Sequence, residues 1–227
     1  MSPTATAPER LGCDTSDMLH IHGLFRRAFV DAPVLVRGVA EGDTDRRDVV
    51  LEHVREIADG LHRHHHGEDL LLWDALEERA PACALHVGLM RSQHAAVGEL
   101  LHRLREVLPA WARTASAEDR ETVACVLDEI RALLLVHLGQ EEDRILPTAS
   151  SVLSQREWDQ LAEHGMSSIP KRRLLVQLGW ILDSIPVTER AGWLRANLPA
   201  PARALWWAVG RRQFAAHRAR VYGGVLA

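Results

Sequence analysis

Two His-x-x-x-Glu pairs, His64/Glu68 and His137/Glu141, stand about seventy residues apart in this chain of 227. Residues four apart in an α-helix lie one above the other, so each pair directs an imidazole and a carboxylate from one face. That face is apolar in both segments. It reads Val54, Ile57, Leu61, His64, Glu68, Leu71, Ala75 in the first and Val123, Leu127, Ile130, Leu134, His137, Glu141, Ile145 in the second. Helices patterned this way desolvate the pairs when they pack. A buried carboxylate without a partner is costly, and it escapes by protonation, an ion partner or a metal. Two pairs together with other inward histidines favour the metal.

The rest of the chain supports an all-α reading. Leu, Ala, Arg and Glu abound, and no period-two run bounded by turn residues occurs. Ser16 or Asp17 opens a first helix that runs to about residue 39. The Gly42-Asp43-Thr44-Asp45 cluster ends it and caps a second, which runs to about residue 79 and stops at Pro81. A third covers roughly residues 84 to 113, with Pro109 kinking or ending it. Ser116 and Asp119 open a fourth, which Pro147 stops. Four long amphipathic helices with short connections predict an antiparallel up-down-up-down four-helix bundle, followed by short C-terminal helices. The domains expected are a flexible N-terminus at 1–14, the bundle at 15–165 and a basic helical extension at 166–227. Ten Lys/Arg against two Asp/Glu give the extension a charge of about +8, against about −12 on residues 1–165. The extension is expected to pack back on the acidic bundle, anchored by Trp180, Trp193, Trp206 and Trp207. An anionic membrane surface or nucleic acid is the competing partner for Arg211, Arg212, Arg218 and Arg220, but no nucleic-acid motif occurs. No stretch of eighteen uninterrupted apolar residues occurs, and the N-terminus does not read as a secretory signal. Three widely spaced cysteines form no metal pair and no disulfide framework, so a reducing cytoplasm is expected.

Each remaining bundle helix adds an inward histidine: His22 within Met18, His22, Phe25, Phe29, and His94 within Val87, Met90, His94, Val97, Leu101, Leu104. Four imidazoles and two carboxylates suit two borderline divalent ions with bridging carboxylates, or one ion with residues to spare. Iron or manganese fits a mixed nitrogen/oxygen set better than calcium or magnesium. The helix turns His62, His65 and His66 away from the stripe, towards solvent or an outer role, with His65 the leading exception because it adjoins a ligand. His20 points elsewhere. His102 falls within a broad inward arc without a Glu partner, and His53 and His86 read as surface.

The array H…HxxxE…H…HxxxE, carried by LHIHGLFRRAF, HRHHHGEDLLLW, RSQHAAVGELL and VHLGQEEDRILP, resembles the hemerythrin-like (HHE cation-binding) family over residues 15–165. The resemblance implies a bundle enclosing a non-haem di-iron centre with an oxo or hydroxo bridge, manganese or zinc being less favoured. It implies His22, His64, Glu68, His94, His137 and Glu141 as the metal ligands. The chain departs from the respiratory oxygen carriers, which have a second histidine one turn from the third-helix ligand. Here those positions are Met90 and Gly98, and the last pair keeps the HxxxE spacing where the carriers have a longer spacing to Asp. That argues against simple oxygen storage and for an open metal position. His164 and the segment LPAPARALWWAVGRRQFAAHRARVYG are similar to an extended bacterial subgroup; there His164 is a cap or loop residue, or an outer ligand.

Three functions follow. The first is reaction with hydrogen peroxide, dioxygen or nitric oxide, including catalase-like peroxide decomposition, with His65 or Glu142 as proton carriers. The second is binding or sensing of iron, oxygen or nitric oxide without turnover, read out through the docking of the extension. The third is a purely structural metal. Ferritin-type storage uses Glu-x-x-His spacing and does not fit. No nucleophile motif occurs. Oligomeric state is left open.

Overall fold

In the computed structural model, residues 10–167 and 169–223 are described, and the fold is all-α. The bundle comprises α1 (Ser16–Arg37), α2 (Thr44–Leu71) continued by α3 (Trp73–Arg79), α4 (Ala84–Thr114) after a 3-10 turn, and α5 (Ala117–Arg144) continued by α6 (Leu146–Val152). Helix α1 packs on α2 and α5, and α4 packs on the same two, which closes the four-membered ring. Two of the expected starts are capped. Asp43 accepts from the Arg46 amide, and Ser116 accepts from the Asp119 amide at 3.1 Å. Pro109 lies inside α4, which continues to Thr114.

The second and fourth helices each break four residues after their glutamate. Leu72 bonds back to Glu68 and Ile145 to Glu141, and each then starts a short second helix. The break advances the apolar face, so Leu72, Trp73 and Leu76 are buried where a continuous helix would present Leu71 and Ala75.

Two apolar clusters fill the bundle. One runs from Val39 and Trp111 to Phe25, Leu61, Val97 and Leu138. The other gathers Met18, Leu72, Trp73, Met90, Ile145 and Trp158. On every bundle helix the His and Glu positions fall between the two. Residues 1–9, most of the segment expected to be loose, lie outside the described residues. Gly12 and Cys13 are hydrogen-bonded to the backbone at Leu153 and Ser150.

Then come α7 (Gln155–Ser167), almost wholly inside the span expected for the bundle, and the extension as α8 (Leu174–Ser184), α9 (Val187–Asn197), α10 (Ala200–Leu205), a π turn at Trp206–Gly210, and α11 (Arg211–Tyr222). Helix α8 lies on α1, while α7 and α11 lie on α2. Bundle carboxylates meet extension arginines: Glu56 with Arg173, and Glu52 with Arg220 at 3.1 Å. Three of the four predicted tryptophan anchors are buried or half-buried. Trp207 is not an anchor: it is 54% exposed under Arg211, and its neighbour Trp206 is the one that faces inward. Among the described residues no helix is long and apolar enough to cross a membrane.

Candidate metal centre

All six predicted residues converge between the two apolar clusters. His22, Glu68, His137 and Glu141 have no exposed surface, and His94 is buried. His64 lies 3.3 Å from Glu68 through Nε2. The other oxygen of Glu68 is 3.5 Å from His94 Nε2, and Glu141 Oε2 stands 3.6 Å from His22 and 3.5 Å from His137. Each carboxylate therefore spans two histidines from different parts of the cluster.

The cluster has a seventh member. His65 is buried, its ring stacked on His94 at 4.0 Å and edge-on to His137 at 4.9 Å. Donor atoms fall into two triads able to hold an ion each: His22, His64 and Glu68; and His65, His94 and His137. Helical periodicity alone turns His65 away from the stripe, although its place beside a ligand makes it the leading exception. Successive helical residues differ by about 100°, so His64 and His65 straddle the centre line of α2. One meets α1 and the other meets α4 and α5. The only sequence signal was its position beside His64.

Second partners orient three of the rings. His22 donates through Nδ1 to Glu142 at 2.8 Å, and Arg26 holds both oxygens of Glu142 at 2.6 and 2.8 Å. His94 donates through Nδ1 to Asp69 at 2.7 Å, which also accepts from Trp73 Nε1. His137 Nδ1 donates to Gln93 Oε1 at 3.1 Å, and Gln93 is braced by Gln140. With Nδ1 as donor, a neutral imidazole presents its lone pair at Nε2. Metal-binding histidines are oriented in this way. Burial pushes the Glu142 carboxyl up, but His22 and Arg26 outweigh it and hold the group down at about 2. Glu142 is thereby an anionic anchor for His22.

The inward atoms are the unsatisfied ones. His22 Nε2, His64 Nε2, His65 Nε2 and all four oxygens of Glu68 and Glu141 are buried without a hydrogen-bond partner. His94 and His137 face each other Nε2 to Nε2 at 3.2 Å. Buried polar atoms are nearly always paired, and two lone pairs at that distance repel unless a cation lies near them. Without one, burial drives the Glu68 carboxyl well above its ordinary range, reinforced by the Glu141 charge, and burial raises Glu141 as well. Burial and the neighbouring imidazoles push His64 and His65 well down and His137 to about 3. Every one of these shifts disfavours charge in a set of N and O donors. The residues fit two transition-metal ions.

The triads face different surroundings. His65 and His94 line a cleft of mixed polarity, about 350 Å³, with His62, His66, Asp69, Arg91, Ala95, Gly98 and Leu101. His64 lines an apolar cavity of about 340 Å³ beneath the extension. Nothing lies within 4 Å of where a Gly98 side chain would begin, so the position lacking a histidine is open space.

Other histidines correct the sequence reading. His53, expected at the surface, is buried against Trp180, because the extension covers that face of α2. His102 is exposed and pairs with Glu106 at 3.3 Å, so its arc faces solvent. His164 packs over Gly67, where a Cβ would lie 3.0 Å from its ring, and it belongs to neither triad.

No curated protein and no solved structure matches the chain. The family model for the hemerythrin HHE cation-binding domain matches residues 14–149, a span that holds all four bundle helices and all seven clustered residues. The chain belongs to the hemerythrin HHE cation-binding family.

Proposed function

We propose that this is a non-haem di-iron protein that reacts with a small oxidant, with hydrogen peroxide breakdown ahead of reaction with dioxygen or nitric oxide. His22, His64 and Glu68 would hold one iron and His65, His94 and His137 the other, with Glu68 and Glu141 shared between them. The proposed carrier unit is residues 15–165. The proposed extension is residues 166–227, whose helices α8 and α11 lie on α1 and α2, and the proposed compartment is the cytoplasm. Bound iron supplies the redox chemistry.

The observation that carries the reading is the cleft at His65 and His94. Its other polar walls, His62, His66, Arg91 and Asp69, suit a polar oxidant whose breakdown needs protons moved. Asp69 fixes the His94 ring, and the exposed His62 and His66 stand where protons enter and leave. Two irons per chain with sustained oxygen release from peroxide would establish the reaction. A stable adduct without turnover would refute it.

One contact favours a second reading, a sensor without turnover. His164 of α7 lies against Gly67, between the proposed ligands His64 and Glu68. Ligand binding at the first triad would then alter how the extension docks. Protease protection between Pro186 and Pro201 should change on ligand addition, and unchanged protection excludes this reading.

A further inference from the structure

The matched family region ends at residue 149, yet the apolar cavity beneath the extension takes its far wall from residues beyond it. Phe25, Ile57 and Gly60 form the bundle side, and Trp180, Ile181 and Trp193 form the extension side. At about 340 Å³ the space falls in the range of small-molecule sites.

The charges on its wall are mostly neutralised internally. Arg27 binds Asp183 at 3.0 Å, and Glu56 is held by Arg173 and by Gln177 at 2.8 Å. Two buried polar groups on the wall are unanswered. Neither ring nitrogen of His53 has a hydrogen-bond partner, nor does Trp180 Nε1, and the two rings lie 5.4 Å apart. A neutral imidazole offers one donor and one acceptor, and the indole offers one donor. Buried groups of this kind carry a desolvation cost that a complementary ligand removes.

From these features we infer that the extension builds a binding site for an uncharged, largely apolar ring compound carrying a carbonyl or hydroxyl oxygen. The body lies among Phe25, Ile57 and Trp193, and the oxygen meets Trp180 and His53 once these rings turn their buried nitrogens to the cavity. His64 is also on the wall, so the occupant sits beside the first triad. A carboxylate is the competing chemistry, because half-exposed Arg63 on the same wall has no acidic partner among the described residues.

The test uses the full chain, metal-free and iron-loaded, with N-phenyl-1-naphthylamine as fluorescent probe. Competitors are 2-acetonaphthone and 2-naphthoate, which share a ring system and differ in charge. The expected result is saturable uptake of one probe per chain, displaced by the ketone at least tenfold more effectively than by the carboxylate. His53→Phe with Trp180→Phe should weaken the ketone at least tenfold at wild-type iron content. Ile181→Trp should abolish probe uptake; should that variant not fold, the double variant decides. Absent saturable uptake, a double variant that binds the ketone normally, or equal displacement by 2-naphthoate would each overturn the inference. Iron content is read separately, so failure here is distinct from failure of the metal assignment.

Discussion

Replacing Glu68 by Gln should stabilise the metal-free protein and weaken its stabilisation by metal. Glu68 is fully buried with neither oxygen bonded, and burial together with Glu141 raises its folded-state pKa well above the ordinary 4.5. The folded metal-free state therefore binds a proton that the unfolded chain releases. Its stability contribution is complete below pH 4.5 and falls as pH climbs towards the folded value. Each pH unit in that window costs about 1.4 kcal/mol, so about pH 7.5 the cost reaches at most about 4 kcal/mol. Gln is neutral in both states and removes that cost, but its amide adds donors that lack full pairing, at about 1–3 kcal/mol. The metal-free variant should be more stable than wild type in urea unfolding at that pH, by at most about 3 kcal/mol, with the advantage falling as pH drops towards 5. Metal acts in favour of wild type. Free iron at a hundredfold its dissociation constant adds about 2.7 kcal/mol to wild type, and a variant without a shared carboxylate should gain under about 1 kcal/mol. A metal-free variant less stable than wild type, or one with undiminished iron stabilisation, would refute the reasoning.

His65→Phe should keep the fold and lose about half of the bound iron, as metal analysis would show; wild-type iron content would remove His65 from the second triad. Gly98→Leu fills open space on a helix and should slow reaction with peroxide several-fold at unchanged iron content in stopped-flow absorbance. Burial holds His53 down at about 4 despite Glu56, with His217, Arg173 and Arg46 adding to the depression, so its contribution is whole above pH 6.5 and lost as pH falls. His53→Phe should therefore reduce the loss of stability between pH 7 and 5 by about 2 kcal/mol, measured by urea unfolding at each pH.

The bundle and six of the clustered residues were legible because each helix carries one apolar stripe, and histidine or glutamate on that stripe has nowhere else to go. What was not legible came from tertiary packing. His65 is inward because the space between four helices admits two neighbouring residues of α2. His53 is buried because the extension covers a face that reads as solvent-exposed on the helix alone. The break at Leu72 carries no Gly or Pro, so local propensity did not mark it, whereas Pro147 in the first turn of α6 marks the break at Ile145. Trp207 failed as an anchor because composition says nothing about which of two adjacent tryptophans faces the core.

The central claim is that six buried side chains and the nearly buried His64, from four helices, hold two metal ions. Iron per chain, measured after anaerobic loading and removal of excess metal, tests it most directly. The account predicts two irons in the wild-type chain and fewer in His64→Ala and His137→Ala. One iron or none in the wild type, or unchanged iron in both variants, would contradict it.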